Sequence, residues 1–241
     1  MTERLYLTNC YTQKFVGEII EILPNGIILD KSAFYPESGG QHGDKGILKS
    51  RNEERFIVKN TVQQRGKVIH EVESFNGLEI GMQVQGEIDW DRRYQMMKTH
   101  TAQHCISRFF QINYKAETVS NKLKPTINRL DLSPLSKLPS EKLNEISAQI
   151  SELLARNMPV SISFLPRREA INFLRQKEYQ TKYLDMVPKS VQEFRIVSIG
   201  NYDFAACAGT HVQNTSEIGQ VVLKKTENKG KLRERIYYSL E

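Results

Sequence analysis

Three of the five histidines in this 241-residue chain, and one of its three cysteines, fall into two short clusters. His100 and His104 stand four apart in THTAQHC (99–105), and Cys207 and His211 stand four apart in AACAGTHV (205–212). On an α-helix a spacing of four puts both imidazoles on one face, one turn apart. Two histidines alone are better explained by ordinary helix burial with one hydrogen bond per ring. The second cluster shifts that balance. Imidazole nitrogen and thiolate sulfur together are a favoured zinc set, and a helix plus a Gly-containing turn after a strand can aim four donors at one point. The alternative is coincidence, with Cys207 a small buried residue and His211 a satisfied strand histidine. Ligand type and spacing favour the metal.

Other chemistry is excluded by what stands beside these residues. A zinc peptidase of the H-E-x-x-H type needs a glutamate directly after the first histidine, where this chain has Thr101. A nucleobase deaminase needs H-x-E and P-C-x-x-C, and neither occurs. Cys105 lies about 100° around the helix from His104 and reads as core. No carboxylate in these motifs marks itself as a general base, so no catalytic residue is assigned. A further stretch, AFYPESGGQHGDKG (33–46), holds Pro36, Gly39, Gly40, Gly43 and Gly46. Paired glycines permit positive φ and close approach of a ligand or another backbone. On the residues alone a connecting loop is the better reading, with His42 and Asp44 either reaching a neighbouring site or solvated.

Two kinds of scaffold must position these groups. Residues 1–90 read as β-rich. A hairpin turns at Pro24-Asn25-Gly26, a second turns between Gln64 and Lys67, and MQVQGEIDW closes the region as a strand. Short strands at this spacing suggest a small barrel or sandwich. The period then changes. Asp89 or Asp91 can cap a helix from about Arg92 to Phe110 that contains neither Pro nor Gly. TINRLDLS alternates as a strand, and Ser140-Glu141 opens a helix with an apolar stripe of Leu143, Ile146, Ile150, Leu153 and Leu154. PVSISFLP, EFRIVSIG, QVVLKK and RERIYYSL read as strands, and RREAINFLRQ as a short helix. The expected class is α+β: an N-terminal small β-barrel over 1–90, then a domain over 91–241 with helices packed on a mainly antiparallel sheet.

Composition sets the surroundings. Apolar residues make up 39% and charged residues 26%, as in ordinary soluble domains. No apolar run is long enough to span a membrane, and MTERLYLTNC has a charge pair where a signal peptide needs an apolar core. Three scattered cysteines make no disulfide framework, so a cytoplasmic, reduced chain is expected. A net charge of +6 weakly favours a polyanionic partner. Arg92, Arg93 and Lys98, with Lys224, Lys225, Lys229, Lys231, Arg233 and Arg235, are candidates for phosphate contacts, each weighed against a solvated surface charge.

Taken together, FYPESGGQHGDKG (34–46), DRRYQMMKTHTAQH (91–104), RLDL (129–132), CAGTHV (207–212), EIGQVVLKK (217–225) and a closing RERIYY resemble, in order, the editing domain of alanyl-tRNA synthetase and the free-standing AlaX-type alanyl-tRNA editing proteins. The resemblance implies a β-barrel followed by an editing domain of the kind shared with threonyl-tRNA synthetase. It implies hydrolysis of the ester joining a wrong amino acid to tRNA(Ala), with serine the expected substrate and glycine a second. The family's zinc ligands fall on His100, His104, Cys207 and His211. The barrel with its Gly39-Gly40 loop resembles the medium-length class, in which that loop is associated with serine selectivity. Neither the C-terminal domain of the long class after residue 241 nor a stable protein partner is expected. The chain departs from the family just before RLDL, where a small hydroxyl residue often lines the pocket. Asn121 stands there, with Ser120 beside it and Thr118 nearby, and its amide can still bond a serine hydroxyl.

Two competing functions remain. One is a non-catalytic RNA-binding module whose closed Cys-His₃ zinc site maintains the fold. The other is a zinc hydrolase of a different small ester. Four protein donors complete a tetrahedral site, the structural pattern, which keeps the first alternative in play.

Overall fold

Alternation of apolar and polar residues turns the first part of the chain into strands. Within β2 (Lys14–Leu23), Phe15, Gly17 and Ile19 are buried while their neighbours are exposed. The computed structural model describes residues 2–179 and 181–241. A short parallel pair, β1 (Glu3–Arg4) with β4 (Lys31–Ser32), flanks a closed barrel. The barrel is formed by β2, β3 (Gly26–Leu29), β7 (Lys67–Val72), β6 (Arg55–Gln64), β5 (Gly46–Ser50) and β8 (Gln83–Ile88), in that order. Closure leaves no open sheet edge. Leu23 pairs with Gly26 across Pro24-Asn25, and Gln64 with Lys67 across Arg65 and Gly66, both of positive φ. Both hairpins stand where the sequence places them. Phe15, Ile19, Leu29, Phe34, Leu48 and Val58 fill the interior.

His70 sits in this core, fully buried. Its Nδ1 donates to the Ile27 carbonyl at 3.2 Å, and its Nε2 accepts from Ser32 Oγ at 2.7 Å. Burial holds the imidazole down at about 4, so the folded chain keeps it neutral. An unfolded His70 takes up a proton near pH 6.5. Its stabilising contribution is therefore complete above that pH and is lost as pH falls from 6.5 through 4, up to about 3 kcal/mol in all. Thermal melts at pH 7 and pH 4.5 should show a larger loss for the natural protein than for His70→Gln. Equal losses contradict this assignment.

The helix α1 (Trp90–Tyr114) follows β8. It is longer at both ends than Arg92–Phe110. Asp89 Oδ1 accepts the Arg92 N–H at 3.2 Å and so opens the helix, while Lys115, at φ 54°, closes it in the left-handed conformation. All of residues 99–106 are buried. THTAQHC thus lies on a stretch of helix that is buried all round, despite its polar residues.

The chain forms two compact units: residues 1–100, 122–128 and 209–211, and residues 101–121, 129–208 and 212–241. In the second, β9 (Glu117–Lys122), β10 (Asn128–Ser133), β15 (Glu234–Leu240) and β14 (Val221–Asn228) lie side by side in one sheet, with β14 at one edge. Helix α2 (Ser140–Leu154) buries the expected stripe of Leu143, Ile146, Ile150, Leu153 and Leu154. Its Ser151 Oγ accepts the Val221 N–H at 3.0 Å and Ser147 Oγ accepts the Leu223 N–H at 2.9 Å, which covers the edge of β14. A second, antiparallel sheet holds β11 (Val160–Pro166), β12 (Glu193–Ile199) and β13 (Asp203–Ala206). Against it packs α3 (Arg167–Gln176) through Ala170 and Leu174. The class is α+β with a barrel at its start. Among the described residues, no helix is long and apolar enough to cross a membrane.

Candidate metal centre

Helix α1 carries His100 and His104 one turn apart, and the segment leaving β13 carries Cys207 and His211. One donor atom from each of the four lies within 4.8 Å of the others. His100, His104 and His211 are buried and Cys207 is half-buried.

Each helical histidine has its ring orientation fixed by a partner at Nδ1. Gln41 Oε1 lies 2.8 Å from His100 Nδ1 and also accepts the Thr210 N–H at 3.1 Å, while Gln41 Nε2 donates to Thr210 Oγ1 at 2.8 Å. These bonds settle which end of the amide faces the ring. Since Oε1 only accepts, His100 Nδ1 carries the proton and Nε2 is left as the donor atom for a metal. Asp203 Oδ2 accepts from His104 Nδ1 at 2.9 Å in the same way. The other Asp203 oxygen accepts from Tyr179 Oη at 2.9 Å, and that hydroxyl accepts the Phe204 N–H at 3.0 Å. Burial pushes the Tyr179 hydroxyl far up, so it remains a donor. Burial works against charge on His104, but its bonds to Asp203 and Cys207 outweigh that and push the imidazole up to about 10. A metal arriving here displaces that proton.

The turn joining the second pair has no slack. A Cβ on Gly209 would collide with the His100 ring, so only glycine fits between Ala208 and Thr210. The Cys207 carbonyl accepts from Arg195 Nη1 at 2.6 Å, and the His211 N–H reaches Cys10 Sγ at 3.5 Å. Ring centroids of His100 and His211 are 4.5 Å apart. Three imidazoles and one thiolate with donor atoms this close could hold a metal ion, and nitrogen with sulfur is a donor chemistry that suits zinc. Cys105 is outside the set. Burial pushes its thiol well up, which suits a core residue.

Gly39 and Gly40 lie exposed at the centre of a tight turn, at φ 57° and 86°. Ser38 and Gln41 exchange both backbone hydrogen bonds across it, at 3.1 and 2.9 Å. Two successive positive φ values demand this glycine pair, and the turn they make delivers Gln41 to His100. The Gly40 carbonyl accepts the Leu123 N–H at 2.9 Å. His42, one of the two loop residues that might have reached a site, instead lies 3.7 Å from Glu37. The other, Asp44, is buried against Arg93. Asn121 is half-buried on β9. Strand alternation puts Thr118 and Ser120 on one face, where Thr118 Oγ1 meets Ser107 Oγ of α1 at 2.6 Å, and Asn121 on the other with Val119.

The basic residues divide sharply. Arg93 has no exposed surface and is bound to Asp44 and to the Cys10 and Ala33 carbonyls, so it is no phosphate contact. Arg235 and Arg233 hold the buried Asp131 carboxylate, at 2.7 and 3.0 Å, and keep it below the usual carboxylate range. Lys224 and Lys229 pair at the surface with Glu241 and Glu227. Gln41, Asp203 and Tyr179 were not marked by the sequence. Gln41 carries no titratable group, and Asp203 lies 99 residues from the histidine it orients.

Comparison with known proteins agrees with this arrangement. The family described as "tRNA synthetases class II (A)" matches residues 4–92, and "Threonyl and Alanyl tRNA synthetase second additional domain" matches residues 194–237. Alanyl-tRNA editing protein AlaX-M of Saccharolobus solfataricus is 36% identical over 242 residues, covering 100% of both chains. That of Methanosarcina mazei is 35% identical over 247 residues, covering 100% of this chain and 97% of its own. Alanine–tRNA ligase of Pyrococcus abyssi is 33% identical over 229 residues, which are 94% of this chain but 24% of the ligase. Full-length similarity at this level, with both ligand pairs brought together, places the chain in the AlaX-M family of alanyl-tRNA editing proteins.

Proposed function

We propose that this protein is a trans-editing hydrolase that deacylates mischarged tRNA(Ala), Ser-tRNA(Ala) first and Gly-tRNA(Ala) second, in a zinc-containing pocket. Membership of the alanyl-tRNA editing proteins supports action on tRNA(Ala) and ester hydrolysis. The observation that carries the assignment of the site is the convergence of His100, His104, Cys207 and His211. Zinc held there supplies Lewis-acid polarisation of a carbonyl, or a nucleophile at neutral pH. The chain's own residues do the rest. Asp203 and Gln41 hold two of the imidazoles in one tautomer, and burial around α1 keeps bulk water from the rings. The ester is reactive, so positioning and charge stabilisation suffice where a peptide would need more.

Selectivity follows from an unpaired polar group. A site built to bond the serine hydroxyl leaves its own donors and acceptors unsatisfied with alanine, which spares the correct product. The residues proposed to meet the substrate are Gly39, Gly40 and Asn121, or in place of Asn121 the polar residues Thr118 and Ser120. Deacylation of Ser-, Gly- and Ala-tRNA(Ala) tests this. The serine ester should be cleaved fastest and the alanine ester spared, and either Asn121→Ala or Thr118→Val should narrow that gap. If the serine ester decays no faster than in buffer, the hydrolase assignment fails. The closed four-donor set favours the non-catalytic zinc module as a second reading, which predicts that metal removal unfolds the chain.

A further inference from the structure

We infer that the four donors hold their metal unequally: His104, backed by the Asp203 carboxylate, is the anchoring ligand, and His100, backed by the neutral Gln41 amide, is the weaker one. This rests on the metal reading of the site given above. The two Nδ1 hydrogen bonds are equally short, 2.9 Å to Asp203 and 2.8 Å to Gln41, so length does not distinguish them. Charge does. A carboxylate accepting from Nδ1–H pushes electron density toward Nε2 and raises its basicity as a ligand, and an amide carbonyl does so less. Gln41 is weaker still because its single oxygen is shared between His100 and the Thr210 N–H.

The Asp203 carboxylate is itself held from behind. Tyr179 holds the second carboxylate oxygen, the Phe204 N–H holds Tyr179, and the Arg108 guanidinium lies 4.5 Å over the Tyr179 ring. Asp203 and Gln41 thus position, with unequal strength, two histidines on neighbouring turns of one helix. Four protein donors complete a tetrahedral set. Of the two helical donors, the one with the neutral backing has the lesser hold.

The test uses the full-length protein stripped of metal, titrated with Co²⁺ by absorbance and with Zn²⁺ against a chromophoric chelator. Asp203→Asn keeps the shape but removes the charge and one of the two acceptor oxygens, and should weaken affinity by about 10- to 100-fold, the range for outer-shell partners. Gln41→Glu gives His100 a carboxylate that the Thr210 hydroxyl and N–H can still serve. It should tighten affinity by about tenfold or more. A purely structural role for Gln41 cannot produce a gain. Gln41→Leu should cost less than Asp203→Asn. Melts of the metal-free proteins separate misfolding from lost affinity. The inference is overturned if Gln41→Glu fails to tighten binding, or if Gln41→Leu costs as much as Asp203→Asn. Failure of the unsubstituted protein to bind either metal removes the metal reading itself. Loss of deacylation with the affinity order intact removes only the proposed function.

Discussion

An Asp44→Ala protein should be less stable by about 3–5 kcal/mol, the cost of leaving one member of a buried ion pair alone. Arg93 has no exposed surface, and its guanidinium meets both Asp44 oxygens, with Nε at 3.1 and 2.9 Å and Nη2 on Oδ2. The remaining partners, the Cys10 carbonyl at 3.0 Å and the Ala33 carbonyl at 2.6 Å, are neutral. Removing the carboxylate strands a full positive charge in the interior. It also strands the Tyr35 N–H, which donates to Asp44 Oδ2 at 2.6 Å. Asp44→Asn keeps an acceptor in place and should cost less. Urea unfolding at pH 7 checks both. A loss below about 1 kcal/mol for Asp44→Ala, the range of an exposed pair, would show that the guanidinium finds water instead.

Cys207→Ser should weaken zinc binding by more than about 100-fold, beyond the usual cost of an outer-shell change, and deacylation of Ser-tRNA(Ala) should fall in parallel. The thiolate is the one anionic donor of the four, and a serine hydroxyl is not deprotonated near neutral pH. The position is half-buried and the change nearly isosteric, so the metal-free variant should melt like the metal-free natural protein. His104→Ala is a poorer test, because it leaves the buried Asp203 carboxylate without its imidazole. Calorimetric zinc titration and single-turnover assays on one preparation check the pairing of the two losses. Zinc loss that unfolds Cys207→Ser favours the structural module. Undiminished turnover without zinc separates the metal from the chemistry.

The two histidine and cysteine pairs were legible as a candidate cluster because the spacing of four carries its geometry with it. His100 and His104 share a helix face wherever that helix packs, and the structure brings Cys207 and His211 to them. The stripe of α2 and both barrel hairpins were legible for the same reason, being local patterns. What surrounds the site was not. Gln41 stands between a glycine pair and a histidine with nothing in its type to mark it, and only the folded turn shows that the glycines deliver it to His100. Asp203 and Tyr179 reach His104 through tertiary packing, which no local period encodes. Arg93 was read with the surface cations because a charge in a sequence looks solvated until its partner is known, and Asp44 stands 49 residues away. The strands GILKS (β5) and ETVSNK (β9) alternate too weakly to announce themselves.

Single-turnover hydrolysis of matched Ser-tRNA(Ala) and Ala-tRNA(Ala) by the zinc-loaded protein, with Cys207→Ser alongside, bears most directly on the central claim. The serine ester should be cleaved more than about 100-fold faster than the alanine ester, within reach of a site that hydrogen-bonds a hydroxyl. Cys207→Ser should abolish that difference. The claim is contradicted if both esters decay at the buffer rate, or if Cys207→Ser cleaves the serine ester as fast as the natural protein.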